Sequence, residues 1–114
     1  MDCLFCKIIR GELDSETMYE DDAAVVIKDI HPRAPVHLLV VPKVHVSSIL
    51  QLDASHRGMV EQMIDAARKA AVKSGLAGYK LVFNVGKEGG QIIDHLHLHI
   101  LGGWEDGVEK KVGV

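Results

Sequence analysis

Between positions 95 and 101 the chain reads His95-Leu96-His97-Leu98-His99-Ile100-Leu101, an alternation of imidazole and aliphatic side chains that only then passes into two aliphatics in a row. A side-chain period of two belongs to extended backbone, so this run dictates a strand with three imidazoles on one face and Leu96, Leu98 and Ile100 anchoring the other. Seven histidines in 114 residues make such a triplet by chance an event of about 0.03 per chain. Imidazole titrates near neutrality, so three on one face can supply a nucleophile, an acid and a hydrogen-bonding orienter. An exposed strand and a metal-holding triplet are the other readings of the same pattern.

A strand with one aliphatic face needs a core to enter, and 114 residues suffice for one compact domain, taken as residues 1–114, but not for two. The formal net charge of −3, with acids and bases interspersed, offers no basic field for a long nucleic acid, so any phosphate must be met locally. No apolar run approaches bilayer length, and Met1 to Arg10 lacks the basic-then-apolar order of a secretory signal. The expectation is a cytoplasmic protein without a membrane partner. Two cysteines, Cys3 and Cys6, are too few for a disulfide framework, and their spacing points to metal or redox chemistry.

Leu4, Phe5, Ile8 and Ile9 predict a short amphipathic helix over Asp2 to Arg10, ending at Gly11. Thr17 to Glu20 and Ala23 to Lys28 read as strands around the turn Asp21-Asp22, Lys28 to Pro35 as a loop, and His37 to Pro42 as a strongly apolar strand. One long helix is predicted between Asp53, as its N-cap, and Gly75, with Val60, Met63, Ile64, Ala67 and Ala71 as the apolar stripe. Tyr79 to Val85 is a further strand, and Gly86 to Gly90 turns the chain into the histidine strand, which ends at Gly102-Gly103. The sum is an α+β fold: an antiparallel sheet of about five strands with one long and one short helix.

Gly86, Gly89 and Gly90 just before the triplet allow backbone N–H groups to approach an anion, although an ordinary hairpin loop would use the same residues. Attack on phosphorus needs a neutral imidazole nitrogen aimed at the substrate while the other nitrogen's proton is held, and the central His97 is best placed for that. His99 and His37 could offer hydrogen bonds to phosphoryl oxygens or a proton to the leaving group, and Asn84 a neutral donor.

The run His95-Leu-His97-Leu-His99-Ile-Leu closely resembles the signature of the histidine-triad nucleotide-binding proteins. So do Cys3-Leu-Phe-Cys6-Lys-Ile-Ile-Arg-Gly-Glu12, Lys28-Asp29-Ile30, Pro35-Val-His37, Pro42-Lys-Val-His45 and Gly89-Gly90-Gln91, which together span nearly the whole chain. The resemblance is to the branch of small purine-nucleoside phosphoramidases rather than to the uridylyltransferases. It implies that His97 is the nucleophile that becomes transiently nucleotidylated, its tautomer fixed by the backbone carbonyl of His95, with His99 and His37 around the phosphate. It further implies that Asp29 takes both ribose hydroxyls and that Leu4, Phe5, Ile8, Ile27, Ile30 and Leu39 form an apolar purine slot, positions that ordinary core packing would also explain. Asn84, Gly90, Gln91, Ile92 and Ile93 complete the implied substrate contacts. Ile92 stands where the family often has a hydroxyl residue, which reduces one phosphate contact to a backbone N–H. Ile27 stands where an aromatic is frequent, and Trp104 where arginine follows the paired glycines.

Zinc-containing members of the family hold the metal at the positions of Cys3, Cys6, His45 and His95, a donor set complete for a closed tetrahedral structural Zn2+ site, while reduced, unpaired thiols are the alternative. Zinc there would withhold the His95 side chain from catalysis. The resemblance also implies a homodimer formed through the long helix and the Tyr79 to Val85 strand, with the sheet continued across the interface. The function expected is hydrolysis of purine nucleoside 5′-monophosphoramidates through a nucleotidyl-His97 intermediate. The alternatives are a dinucleoside polyphosphate hydrolase, or a zinc-stabilised nucleotide-binding or interaction module whose turnover is incidental. His31 and His56 are expected to be exposed and without partners.

Overall fold

A computed structural model describes residues 3–105; Asp2 at the start of the expected first helix, and the chain beyond Glu105, lie outside the described residues. The order of elements is α1 (Leu4–Ile9), β1 (Thr17–Glu20), β2 (Ala24–Lys28), β3 (Val36–Pro42), α2 (Met59–Lys73), β4 (Tyr79–Val82) and β5 (Leu98–Gly102), with 3-10 turns at Ile49–Gln51, Ala54–His56 and Lys87–Gly89. The five strands form one sheet in the order β1-β2-β3-β5-β4, every neighbouring pair antiparallel. The β1–β2 turn is held by Asp21, whose Oδ1 accepts the N–H groups of Ala23 (2.8 Å) and Ala24 (2.9 Å).

Both faces of the sheet are covered, so its central strands are buried on both sides and read as continuous apolar runs, Ala24 to Ile27 and Leu38 to Val41. On one face Ala24, Val26, Leu38, Val40, Leu96, Leu98 and Ile100 pack with Met63, Ala66, Ala67 and Ala70 of α2. On the other, Val25, Ile27, Leu39 and Val41 pack with Phe5, and Cys3, Ile8, Ile9 and Ile93 lie against them. The α2 stripe is made largely of alanines, which lets the helix sit close to the sheet. Ala66 and Ala70 belong to it, whereas Ile64, expected inside, is an exposed residue.

The helix also starts later than its sequence suggests. Asp53 does cap a helical start, but that of the 3-10 turn Ala54–His56, where its carboxylate accepts the Ser55 N–H and His56 Nδ1 accepts the Asp53 N–H at 3.2 Å. His56 therefore has a partner, and His31 is exposed as expected. Gly58, at φ +85°, then breaks the path, and α2 begins at Met59. The far end is as expected, with Gly75 at φ +72° beyond Lys73.

β4 stops at Val82, three residues short of the predicted end, and β5 begins only at Leu98, so His95 and His97 precede the regular strand. The register explains the late start. Val40 faces Leu98, so continued pairing would set Leu96 against Pro42, which has no N–H to give the ladder. Leu96 N–H instead bonds Val46 O at 2.7 Å, and the carbonyl of Pro42 is taken by the His95 ring, Nε2 to O 2.8 Å. Alternation nevertheless persists through the irregular stretch: Leu96 and Leu98 enter the α2-side core, while the rings of His97 and His99 lie together at 5.1 Å between centroids on the α1 side.

Candidate active site and metal centre

His97 is buried at 8 % exposure with the Phe5 ring 5.1 Å away, edge-on. Its Nδ1 lies 2.7 Å from the carbonyl oxygen of His95. A carbonyl only accepts, so Nδ1 carries the proton and donates it, leaving Nε2 as a bare lone pair. Two residues of the same run thus build the nucleophilic tautomer without any acidic side chain.

His37 and His99 come from adjacent strands. His99 faces Leu39 across the β3–β5 ladder, and His37 is its diagonal neighbour on the same face. Their rings meet at His37 Nε2 to His99 Nδ1, 2.9 Å, and His37 Nε2 is also 3.3 Å from Asp29 Oδ2. The other nitrogen of His37, Nδ1, accepts the backbone N–H of Arg33 at 3.0 Å. Burial is the main cause that pushes His37 below its ordinary value, opposed by the Asp29 carboxylate and aided by Arg33. His99 is lowered to about 4, first by burial and then by His97 and His37. Both rings are therefore neutral at pH 7.

Asp29 sits where β2 leaves the sheet; its N–H donates to His37 O (3.0 Å) and its Oδ1 accepts the His31 N–H (2.8 Å). The glycine-rich segment is folded as a compact loop around Gln91, whose amide donates to Ser47 O (2.6 Å) and Ile93 O (2.9 Å) and whose Oε1 accepts the Gly86 N–H (3.0 Å). Asn84 Nδ2 donates to Gly89 O at 2.9 Å. Among the expected purine-slot positions, Phe5, Ile27 and Leu39 are buried together and Ile8 packs on them, whereas Ile30 is 83 % exposed and Leu4 is also exposed. Ile93 joins that apolar cluster; Ile92 points outward at 83 % exposure.

A second constellation occupies the end of the sheet beyond Pro42. Cys3 is the N-cap of α1, its sulfur accepting the Cys6 N–H at 3.4 Å, and this first turn brings the two thiols to one side. Cys3 Sγ is 3.2 Å from His95 Nδ1, Cys6 Sγ is 3.3 Å from His45 Nδ1 and 3.6 Å from His95 Nδ1, and the two Nδ1 atoms are 3.0 Å apart. All four donor atoms lie within 4.8 Å of one another. A tetrahedron with bonds of about 2.0–2.3 Å has edges of roughly 3.3–3.8 Å, so these side chains fit a four-coordinate ion after shifts of a few tenths of an ångström. His95 Nε2 donates to Pro42 O, so its Nδ1 is the unprotonated nitrogen that a metal requires. Burial, then the neighbouring Cys3, raise the Cys6 thiol above its ordinary value, and a bound cation would reverse that.

The fold thus gathers His97, His99, His37 and Asp29 into one site and Cys3, Cys6, His45 and His95 into another, joined through the two ends of His95. Contributions that sequence reasoning missed include two backbone groups, Pro42 O and Arg33 N–H, for which no side-chain signal exists, and Val25, Val41 and Ile9, hidden in runs that read simply as core.

Residues 2–111 match the protein family described as "Scavenger mRNA decapping enzyme C-term binding". The purine nucleoside phosphoramidase of Escherichia coli K12 is 39 % identical over 102 residues, 88 % of this chain and 86 % of that protein. A HIT family hydrolase from Clostridium thermocellum superimposes with a TM-score of 0.89 at 42 % identity, covering 96 % of each chain. A zinc-bound histidine triad family protein from Mycobacterium smegmatis superimposes with a TM-score of 0.80 at 29 % identity, over 92 % of this chain and 77 % of that one.

Proposed function

We propose that this chain, which belongs to the histidine-triad (HIT) family of nucleotide hydrolases, cleaves the phosphorus–nitrogen bond of purine nucleoside 5′-monophosphoramidates. The observation that carries the reading is the 2.7 Å bond from His97 Nδ1 to His95 O, which makes Nε2 the lone-pair nitrogen of the neutral ring and so the nucleophile. Nε2 attacks phosphorus, the P–N bond breaks and the amine departs with a proton from solvent. Water then attacks the nucleotidyl-His97 intermediate, releasing the nucleoside monophosphate and restoring the ring.

His99 has its Nδ1 occupied by His37 and is neutral at pH 7, so what it offers substrate is the Nε2–H, as a hydrogen bond to a phosphoryl oxygen. Transferring that proton outright would leave an imidazolate, so His99 acts by stabilising charge on phosphorus. Asp29 receives the ribose hydroxyls, the patch of Phe5, Ile27 and Leu39 supports the base, and the N–H groups of Ile92 and Ile93 approach the phosphate, those of Gly90 and Gln91 being engaged by Lys87 O and Gly86 O.

Zn2+ is held by Cys3, Cys6, His45 and His95, where it supplies a structural cross-link between α1 and the sheet; the donor geometry and the zinc-bound mycobacterial relative support this. A homodimer continues the sheet through β4, which lies at its edge and exposes Leu81, and the protein works in the cytoplasm. The test is a single-turnover reaction with a purine phosphoramidate labelled in the nucleoside and quenched under denaturing alkaline conditions. Label on wild type but not on His97→Ala is expected, and equal label on both would remove His97 from the nucleophile's role. Faster turnover of dinucleoside polyphosphates than of phosphoramidates would move the substrate to the other class.

A further inference from the structure

Asp29, His37 and His99 place three donor atoms within 4.8 Å of one another, a grouping that a divalent cation could join. The hydrogen bonding says otherwise. Neutral imidazole has one N–H and one lone pair, and at His37 the lone pair is fixed on Nδ1 because that atom faces the donating N–H of Arg33 at 3.0 Å. The proton must then be on Nε2, where it is shared between His99 Nδ1 at 2.9 Å and Asp29 Oδ2 at 3.3 Å. His99 Nδ1 is in turn an acceptor, so the His99 proton is on Nε2. A metal ion needs the Nε2 lone pair of His37, and freeing it would drive the proton to Nδ1, directly against the Arg33 N–H.

We propose that the backbone amide of Arg33 is the positioning group that sets this whole chain: Arg33 N–H to His37 Nδ1, His37 Nε2–H to His99 Nδ1, and His99 Nε2–H to the substrate phosphoryl group. The amide cannot release its proton, so the chain has a closed end. His37 orients His99 and does not relay protons through it. The same lock keeps cations out of the Asp29–His37–His99 group while leaving the Cys3–Cys6–His45–His95 group open to them. The loop is built for this: Pro32 and Pro35 have no N–H, and the Asp29 carboxylate pins the His31 N–H at 2.8 Å, which fixes the path that carries Arg33 over the His37 ring. The proposal rests on the reading of His99 as a phosphoryl donor only in its last link.

Long-range proton–nitrogen correlation spectra of zinc-loaded wild-type protein report imidazole tautomers without turnover, so they test the lock separately from the reaction. Both His37 and His99 are expected to carry the proton on Nε2, and to keep it there when a second equivalent of Zn2+ is added. A proton on His37 Nδ1 in wild type, or loss of the His37 Nε2 proton to the second equivalent, would overturn the assignment whatever the substrate proves to be. Arg33→Pro removes the backbone donor along with the guanidinium and should let His37 populate the other tautomer, with kcat down about tenfold and KM roughly unchanged. Arg33→Ala keeps the N–H and should retain wild-type tautomers and kcat. If Arg33→Ala loses as much kcat as Arg33→Pro, the guanidinium is responsible and the proposal fails. Should Arg33→Pro not fold, the wild-type spectra and Arg33→Ala still decide the matter.

Discussion

The two faces of the sheet are made by the same strands and serve different ends. Toward α2, Leu98 and Ile100 join Leu38, Val40, Met63 and the helix alanines Ala66, Ala67 and Ala70 in an apolar packing. Toward α1, one residue out of step, His97 and His37 are buried and His99 is half-buried, yet each ring is fixed by a named partner rather than by shape alone. The first face draws its stability from area removed from water; on the second, burial holds His37 and His99 neutral and hydrogen bonds set which ring nitrogen carries each proton. Damage to the two should therefore separate cleanly, in stability on one side and in chemistry on the other.

The sharpest separation is expected at His97→Ala, which should lower turnover by about 10⁴-fold or more, roughly 5.5 kcal/mol of barrier, while the melting temperature barely moves and adenosine monophosphate still binds by calorimetry. Unfolding of that variant would break the division. The proposed zinc site should cross it, because it lies on the chemical side while a metal held there would supply stability. Chelation from protein held at about a thousandfold the zinc Kd should cost roughly 4 kcal/mol in unfolding free energy, and activity should fall less than stability. Elemental analysis with Cys3→Ser and Cys6→Ser checks it, and unchanged melting on zinc addition to metal-free protein would return the cysteines to reduced thiols.

On the apolar face, Ile100→Ala should cost about 3 kcal/mol in denaturant titrations with kcat largely retained below the transition. Asp29→Asn should weaken ribonucleotide binding about tenfold and deoxyribonucleotide binding hardly at all; equal losses would make Asp29 a loop-capping residue only. A further effect is on pH. His99 is held at about 4 in the folded chain against an ordinary 6.5, so the unfolded chain takes up a proton first as pH falls. This contribution to stability is complete above pH 6.5 and is lost on the way down to about pH 4, as melting curves across that window should record, while the donor role of His99 persists through it.

Much of this was legible because alternation and residue chemistry are local signals. The five strands and the partition of β5 between its faces followed from patterns in the chain, and the gathering of Cys3 and Cys6 with His45 and His95 from the family resemblance. What escaped notice has a common cause in groups that side-chain letters do not encode. The start of α2 was misjudged because Asp53 does cap a helical turn, only a shorter one that ends at a glycine in the left-handed region. Ala66 and Ala70 were overlooked because small residues add little to an apolar stripe although they lie at its centre. Gln91 read as a substrate contact, and the structure shows its amide fully engaged in closing the loop. The Arg33 amide was invisible for the same reason as the Pro42 carbonyl, since every residue type offers a carbonyl and nearly all an amide.

The alternation across residues 95 to 101 also governs how such a chain can change over time. A substitution on β5 alters one side chain on one face and leaves the other face as it was. A single inserted or deleted residue between His97 and Ile100 exchanges the faces for everything beyond it, driving an imidazole into the α2 packing and an aliphatic into the reaction centre. Drift by point replacement is open to this strand, while change of length is closed to it, and length variation is confined to segments such as Leu13 to Ser15 that no ladder constrains.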